Sequence, residues 1–380
     1  MTRPRIVAFV LAGGEGRRLR PFTEDCPKPA LPFGGGYRII DFVLSNLYNS
    51  QIRSVFVLLQ HRPELLLNHL REGWSRAQLK PGEFIEPALP ANNGAGRGFR
   101  GTADAVHQCL DLLDGCRADL IAVFAADHVY RMDVRQMAEF HLERGADATV
   151  AAIPVALRQA SGFGVIEADG CDRIRGFEEK PLAPRPMPDD PTRALASTGN
   201  YLFRPEVLRA ALDAAAARGE TDFGHHVLPR LARSHRVLGY DFSRNRVPGL
   251  RAYEESAYWR DVGDSAAYAE AHWDLLGAQP RLRLDNPAWP IRSGNTAHAV
   301  APLDAGDIRN TILGPNANAH GAVVRNCVLQ RGANVGPGAN LERCIVMDGV
   351  RIERGARFEG VILGRGGNRA QAARGAASAP

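Results

Sequence analysis

Between residues 308 and 363 one pattern returns four times. It reads Ile308-Arg-Asn-Thr-Ile-Leu313, Val324-Arg-Asn-Cys-Val-Leu329, Leu341-Glu-Arg-Cys-Ile-Val346 and Phe358-Glu-Gly-Val-Ile-Leu363. The start-to-start spacings are 16, 17 and 17 residues. Finer hexads lie inside, with Val323, Val335 and Leu341 as apolar anchors and Gly314, Gly321, Gly332 and Gly338 near the corners. A period near six nested in one near eighteen predicts a three-sided parallel β-helix over 306–365. Each coil buries one apolar residue per side and needs its neighbours to do so. An irregular β-sandwich would not require repeated hexads. His320, the one histidine of this stretch, raises a hexapeptide-repeat acyltransferase as a rival, and a coil-corner residue as the plainer reading.

Residues 1–278 have a different texture. Ile6–Leu11, Val55–Leu59, Leu120–Ala125, Ala148–Ile153 and Ser197–Phe203 are short apolar runs between polar or Gly/Pro punctuation, which predicts buried strands. Pro63–Leu70, Ala103–Leu113 and Val134–Glu143 carry helical patterns. The alternation predicts a Rossmann-like α/β domain with a mostly parallel sheet and a site at the carboxyl ends of its strands. Residues 279–305 hold Pro287, Pro290 and Pro302 without a clear period and read as a linker; 366–380 read as a disordered tail.

Composition narrows the function classes. No apolar run approaches the roughly 20 residues that span a bilayer, and Ile6–Ala12 is too short for a signal peptide. The six cysteines are scattered without a C-x-x-C pair, which suits a reducing cytoplasm and excludes a disulfide framework. The net charge of +5 is spread thinly, so anionic small ligands are expected and nucleic acid is not.

The first strand runs into Leu11-Ala-Gly-Gly-Glu-Gly-Arg-Arg-Leu19. Such a Gly-rich turn lets backbone N–H groups approach a phosphate chain. It is not a dinucleotide fingerprint, because Leu19 stands where the last Gly would be, and no G-K-[ST] follows as in a P-loop. Arg18 and Lys28 add a planar fork and a point charge to a loop already suited to anions. Asp127 and Asp261 each end an apolar or aromatic stretch. Partly buried carboxylates need a cation, and Mg²⁺ takes one or two of them plus phosphate oxygens. Glu179 and Lys180, in Gly176-Phe-Glu-Glu-Lys-Pro181, suit sugar hydroxyls and a sugar phosphate, with Pro181 expected to hold Lys180 extended.

The order L-A-G-G-x-G-x-R-L, K-P-A, R-I-I-D-F-x-L-S-N, R-G-T-A-D-A-V, D-H-x-Y, E-K-P, A-S-x-G, D-F-G, Y-W-R-D-V-G, W-P-I-R resembles bacterial glucose-1-phosphate adenylyltransferase, also called ADP-glucose pyrophosphorylase. The resemblance runs from about residue 6 to 292 and continues into the repeats. It implies that ATP and α-D-glucose 1-phosphate give ADP-glucose and pyrophosphate, for glycogen or another α-glucan, in a cytoplasmic homotetramer with a left-handed β-helix. By motif position, Arg18 and Lys28 hold the triphosphate and leaving group, and Gly13, Gly14 and Gly16 form the backbone cradle. Gln60 reads the adenine edge, and Gly101, Thr102 and Asp104 form a second nucleotide motif. Asp127 and Asp261 hold Mg²⁺. Glu179, Lys180, Gly164, Ser197, Asp222, Phe223 and Trp259 line the glucose 1-phosphate pocket. Phe99 stands there in place of the usual Tyr, at a cost of about 0.5–1.5 kcal/mol for a lost hydroxyl contact. Ala126 replaces a frequent Gly and is expected to add a methyl beside the metal. The rivals are a nucleotidyltransferase making another sugar nucleotide and a non-catalytic regulatory subunit. A regulatory subunit would have lost charged site residues, whereas Arg18, Lys28, Asp127, Lys180 and Asp261 all remain.

Overall fold

Strand β1 (Ile6–Leu11) is buried along nearly its whole length, as a continuous apolar run must be when both sheet faces are covered. The computed structural model describes residues 3–74, 79–90, 98–293, 302–367 and 369–371. After β1 come a short hairpin, β2 (Pro32–Phe33) and β3 (Tyr37–Arg38), then α1 (Ile40–Asn49), β4 (Ser54–Leu58), α2 (Pro63–His69) and β5 (Phe84–Ala88). Next are α3 (Thr102–Gln108), β6 (Leu120–Ala125), β7 (His128–Tyr130), α4 (Val134–Glu143), β8 (Ala148–Ala156), β9 (Gly164–Ala168) and β10 (Ile174–Glu179). The domain finishes with β11 (Arg193–Phe203), α5 (Pro205–Ala217), α6 (Leu228–Ser234), β12 (Val237–Asp241), β13 (Trp259–Asp261) and α7 (Ser265–Trp273).

The sheet runs β10-β9-β11-β6-β1-β4-β5, with β8 on β11 and β12 on β8. Strands β6, β1, β4 and β5 are parallel. The mostly parallel expectation stops there, because β11 runs antiparallel to β6, β8 and β9. Ala8 and Val10 point into one core with α1 and α4, and Val7 and Phe9 into the other with α3 and α5. The expected helix Ala103–Leu113 breaks into α3 and a 3₁₀ turn at Leu110–Leu113.

The four repeats stack in register. Ile308 pairs with Val324, Val324 with Leu341 and Leu341 with Phe358, all parallel. A second side stacks Ile312, Val328, Ile345 and Ile362. His320 is exposed at a coil corner, its N–H on Asn318 Oδ1 at 2.9 Å.

The linker reading of 279–305 is corrected for much of that stretch. Leu282, Leu284, Trp289 and Ile291 are buried, and Leu303–Ala305 pairs with the first repeat. Prolines break the period there without exposing the apolar side chains between them. Residues 294–301 lie outside the described residues. The tail reading is corrected at Arg369–Gln371, a strand on Val361–Leu363, while 372–380 lie outside the described residues.

One apolar core runs from Phe33 and α7 into the coils, so the α/β domain and the β-helix share a buried joint. His272 sits in it, fully buried. Its Nδ1–H donates to the Tyr268 carbonyl at 2.8 Å. Its Nε2 accepts from the Gln330 amide at 2.9 Å and from Gly34 N–H at 3.3 Å, while Gln330 Oε1 accepts from Gly35 N–H at 2.8 Å. The two donors that meet at Nε2 require the neutral ring. Burial pushes the His272 pKa down to about 4. A pKa below the unfolded value means the stabilisation is complete above pH 6.5 and is lost as pH falls towards 4. The loss by pH 5 is about 2 kcal/mol. His272→Gln should therefore show a shallower fall in melting temperature between pH 7 and pH 5 than the parent. Parallel curves would exclude His272 as the titrating group.

Candidate active site

The Gly-rich loop leaves β1 between the carboxyl ends of β4 and β6. Ala12 N–H reaches the Leu58 carbonyl at 2.9 Å, and Ala126 N–H the Leu11 carbonyl at 3.1 Å. Gly16 closes the loop at φ 65°, and Thr23 Oγ donates to its carbonyl at 2.8 Å. The left-handed turn explains glycine at that position. A cleft of about 290 Å³ opens beside the loop and brings together Gly13, Gly14, Gln60, Phe99, Gly101, Thr102 and Asp127. Gln60 Nε2 donates to the Phe99 carbonyl at 3.1 Å. Phe99 therefore lines the same cleft as the Gly-rich loop and Gln60.

A charged centre adjoins this cleft. Strands β7 and β13 form a separate two-stranded ribbon in which Asp261 faces His128 and Trp259 faces Tyr130. The ribbon delivers Asp127, His128 and Asp261 to one point, with one ligand atom of each within 4.8 Å of the others. Lys28 Nζ donates to Asp127 Oδ2 and to Asp261 Oδ1, both at 3.0 Å. Arg18 lies at the rim, 65% exposed, with its Nη2 3.8 Å from Asp261 Oδ2. Gly263 makes room for this approach, since a Cβ there would stand 2.6 Å from Arg18 Nη2. Burial opposes charge at both Lys28 and Asp127. The two carboxylates nevertheless raise the Lys28 pKa, and the Lys28 ammonium holds the Asp127 carboxyl well below the usual carboxylate range. The donor set suits a hard divalent cation: two carboxylates beside the Gly-rich loop, with Lys28 bonded to the same two groups. Ala126 adds nothing to this centre, because its methyl is fully buried in the α1-side core.

The third cluster lies on β9–β11. Glu179 is paired across the strands with Gly164 and reaches Lys180 Nζ at 3.0 Å. A Cβ at Gly164 would come within 2.9 Å of Glu179 Oε2, and one at Gly224 within 2.3 Å. The Glu179 carboxylate thus occupies a slot that two missing side chains leave open. Lys180 is 60% exposed. Its backbone is left-handed at φ 47°, not extended as Pro181 predicted. Sterics before proline disfavour the right-handed helical region, and here the chain takes the left-handed one. Ser197 is buried beside a register shift in β11, where Gly199 passes Ala125 and His128. Trp259 is buried with its ring 4.9 Å from His128 and 5.5 Å from Phe163.

Three of the expected contact residues are engaged by the protein itself. Asp104 takes Arg100 N–H, both Arg100 side-chain donors and Gln108 Nε2 on its two oxygens, so it fixes the start of α3. Asp222 caps the π-helical turn Phe223–Val227 by accepting from His225 N–H at 2.9 Å, and its other oxygen accepts from Thr102 Oγ. Phe223 is 1% exposed and stacks in the core with Tyr201 and Phe203. The sequence pattern marks these positions but does not separate contact from support. His128, Gly224 and Gly263 were not singled out; His128 was visible only as the second residue of D-H-x-Y.

Comparison with known proteins agrees with this layout. The family model described as nucleotidyl transferase matches residues 7–277, and the model described as GlmU-like, C-terminal hexapeptide matches 297–373. Among curated relatives, the glucose-1-phosphate adenylyltransferase of Thermodesulfovibrio yellowstonii is 44% identical over 87% of this chain and 80% of its own length. Enzymes of the same name from Mycolicibacterium gilvum (44%, over 88% of this chain and 83% of its own length) and Corynebacterium jeikeium (42%, over 90% of each) are similarly close. The chain belongs to the nucleotidyl transferase family and, within it, to the glucose-1-phosphate adenylyltransferases.

Proposed function

We propose that this chain transfers the adenylyl group of ATP to α-D-glucose 1-phosphate. A phosphate oxygen of the sugar attacks the α-phosphorus, the bond to the β-phosphate breaks, and pyrophosphate leaves. The observation that carries the reading is the single cleft end where a glycine cradle, Lys28, Arg18 and two carboxylates converge. Negative charge grows on the α-phosphate and the departing pyrophosphate, and preplaced cations stabilise it there. Gly13, Gly14 and Gly16 cradle the triphosphate, with Gln60 beside the base and Gly101 and Thr102 opposite. Lys28 and Arg18 take the reacting phosphates. Glu179 accepts from glucose hydroxyls in its slot, and Lys180 meets the sugar phosphate, with Gly164, Ser197 and Trp259 around them. Asp127 and Asp261 would hold Mg²⁺, which when bound supplies charge neutralisation at the phosphates. No covalent nucleophile is needed, and catalysis is positioning plus electrostatics.

The same reading makes the product a glucosyl donor for glycogen or another α-glucan, made in the cytoplasm by a homotetramer. Free cysteines support the compartment, and the stacked coils offer edges for assembly. Among the described residues no helix is long and apolar enough to cross a membrane. Purified protein with Mg²⁺, glucose 1-phosphate and one of ATP, UTP, dTTP or GTP tests the reading. Pyrophosphate should appear with ATP alone. Release with another nucleotide would move the product, and no release with any would favour a regulatory subunit.

A further inference from the structure

The carboxylates of the charged centre stand on a ribbon with its own anchor. Among the described residues strands β7 and β13 pair only with each other, so contacts outside this ladder fix where the ribbon carries Asp127 and Asp261. Ala126 N–H on the Leu11 carbonyl holds the end beside Asp127, and at the other end the anchor is Asn46, fully buried near the end of α1. Its Nδ2 donates to the Tyr130 carbonyl at 3.1 Å, and its Oδ1 accepts from Met132 N–H at 3.0 Å. One amide thus grips both sides of Arg131, in the way a neighbouring strand would. The same Oδ1 accepts from Trp289 Nε1–H at 3.2 Å. Trp289 opens a segment stapled to α1 twice more, by Asn49 Nδ2 on the Pro290 carbonyl at 3.0 Å and by Arg292 N–H on Ser45 Oγ at 2.8 Å. This segment leads through residues 294–301 towards the β-helix. Donor and acceptor on one short stem are both in use, so neither Asp nor Ala replaces the side chain.

We infer that Asn46 is a positioning residue for the reaction. It sets the spacing of Asp127 and Asp261 by fixing the ribbon, and through Trp289 that spacing depends on how the C-terminal segment is docked. The inference rests on the reading that these carboxylates face a divalent cation and the reacting phosphates. Groups that orient ligands from behind typically change metal affinity or activity about 10–100-fold when removed.

The test uses the full chain with Asn46→Ala and Trp289→Phe. Three quantities are read: melting temperature, the kcat and KM values, and Mn²⁺ binding by its EPR signal. Asn46→Ala should lower kcat and Mn²⁺ affinity on the order of 10-fold or more. The KM values for ATP and glucose 1-phosphate should stay near parental, because the glycine loop and the Glu179 slot hang on other strands. Trp289→Phe removes that hydrogen bond and the pyrrole half of a buried indole, and keeps a six-membered aromatic ring in the pocket. It should move kcat and Mn²⁺ affinity the same way by a smaller factor, and it answers the question even if Asn46→Ala does not fold. A lower melting temperature with parental kcat and Mn²⁺ affinity in the folded variants would overturn the inference. Parental Mn²⁺ binding in Asp127→Asn would instead overturn the metal reading beneath it.

Discussion

Lys28→Met should cut kcat by about 10²–10³ while leaving the chain folded. Methionine keeps the length and the apolar stem of a residue whose side chain is only 7% exposed, so the packing survives. His128 Nε2 stays 3.5 Å from Asp127 and 3.8 Å from Asp261, and what disappears is the ammonium that bonds both carboxylates at 3.0 Å. Arg18 cannot stand in for it, being 65% exposed and 3.8 Å from Asp261 alone. Asp127 then loses the ammonium that lowers its pKa, and its proton affinity rises. The acid limb of the kcat profile should accordingly move to higher pH. A second readout separates this role from general damage. Lys28 Nζ lies between the carboxylates, where it competes with any other cation, so the free variant should bind Mn²⁺ more tightly than the parent. Parental turnover would reduce Lys28 to a structural counter-ion.

The fold was legible where one period governs a long stretch. The coil register follows from the 16- and 17-residue spacings, because each coil repeats the environment of the last. The central parallel strands were legible from continuous apolar runs. The antiparallel β11 was not, since its Ala-Leu-Ala-Ser-Thr-Gly-Asn run reads equally well in either direction. Strands β9 and β10 were missed because β9 is only five residues long and the charged residues of β10 mask its period.

The site was legible as chemistry and less so as geometry. Charge and loop type located Arg18, Lys28, Asp127, Asp261 and Glu179, and the fold gathers them at one end of the sheet. Asp104 and Asp222 share motifs with contact residues, yet their oxygens are spent on Arg100, Gln108, Thr102 and His225. A linear motif records that a residue matters to a site; only the hydrogen bonds say whether it touches the ligand or its supports. Arg38–Asn46 makes the same point. The motif looked family-specific and had no assigned role. In the fold Asp41 accepts from Arg38 N–H and Trp74 Nε1–H and bonds His69 Nε2, and Asn46 holds the ribbon.

Asp127→Asn is the sharper probe of the metal reading. The substitution conserves shape, and an amide oxygen can still accept from Lys28 Nζ. The side chain is 37% exposed, so the change does not strand a fully buried group. What it removes is one of the two anionic oxygens donors that a divalent cation needs at the reacting phosphates. Turnover should fall about 10²–10³-fold, the usual scale for losing one preplaced electrostatic contact. Stability should respond in a different pH range. The Asp127 pKa is depressed in the fold, so its ionised form stabilises the native state above about pH 4 and that contribution fades only as pH falls further. Melting temperatures of parent and variant should therefore differ at pH 7 and converge in strong acid, while the turnover gap persists at pH 7–8. Mn²⁺ binding should weaken in the same variant. Near-parental turnover with near-parental Mn²⁺ binding would remove Asp127 from the metal site and leave it as the partner that holds Lys28 in place.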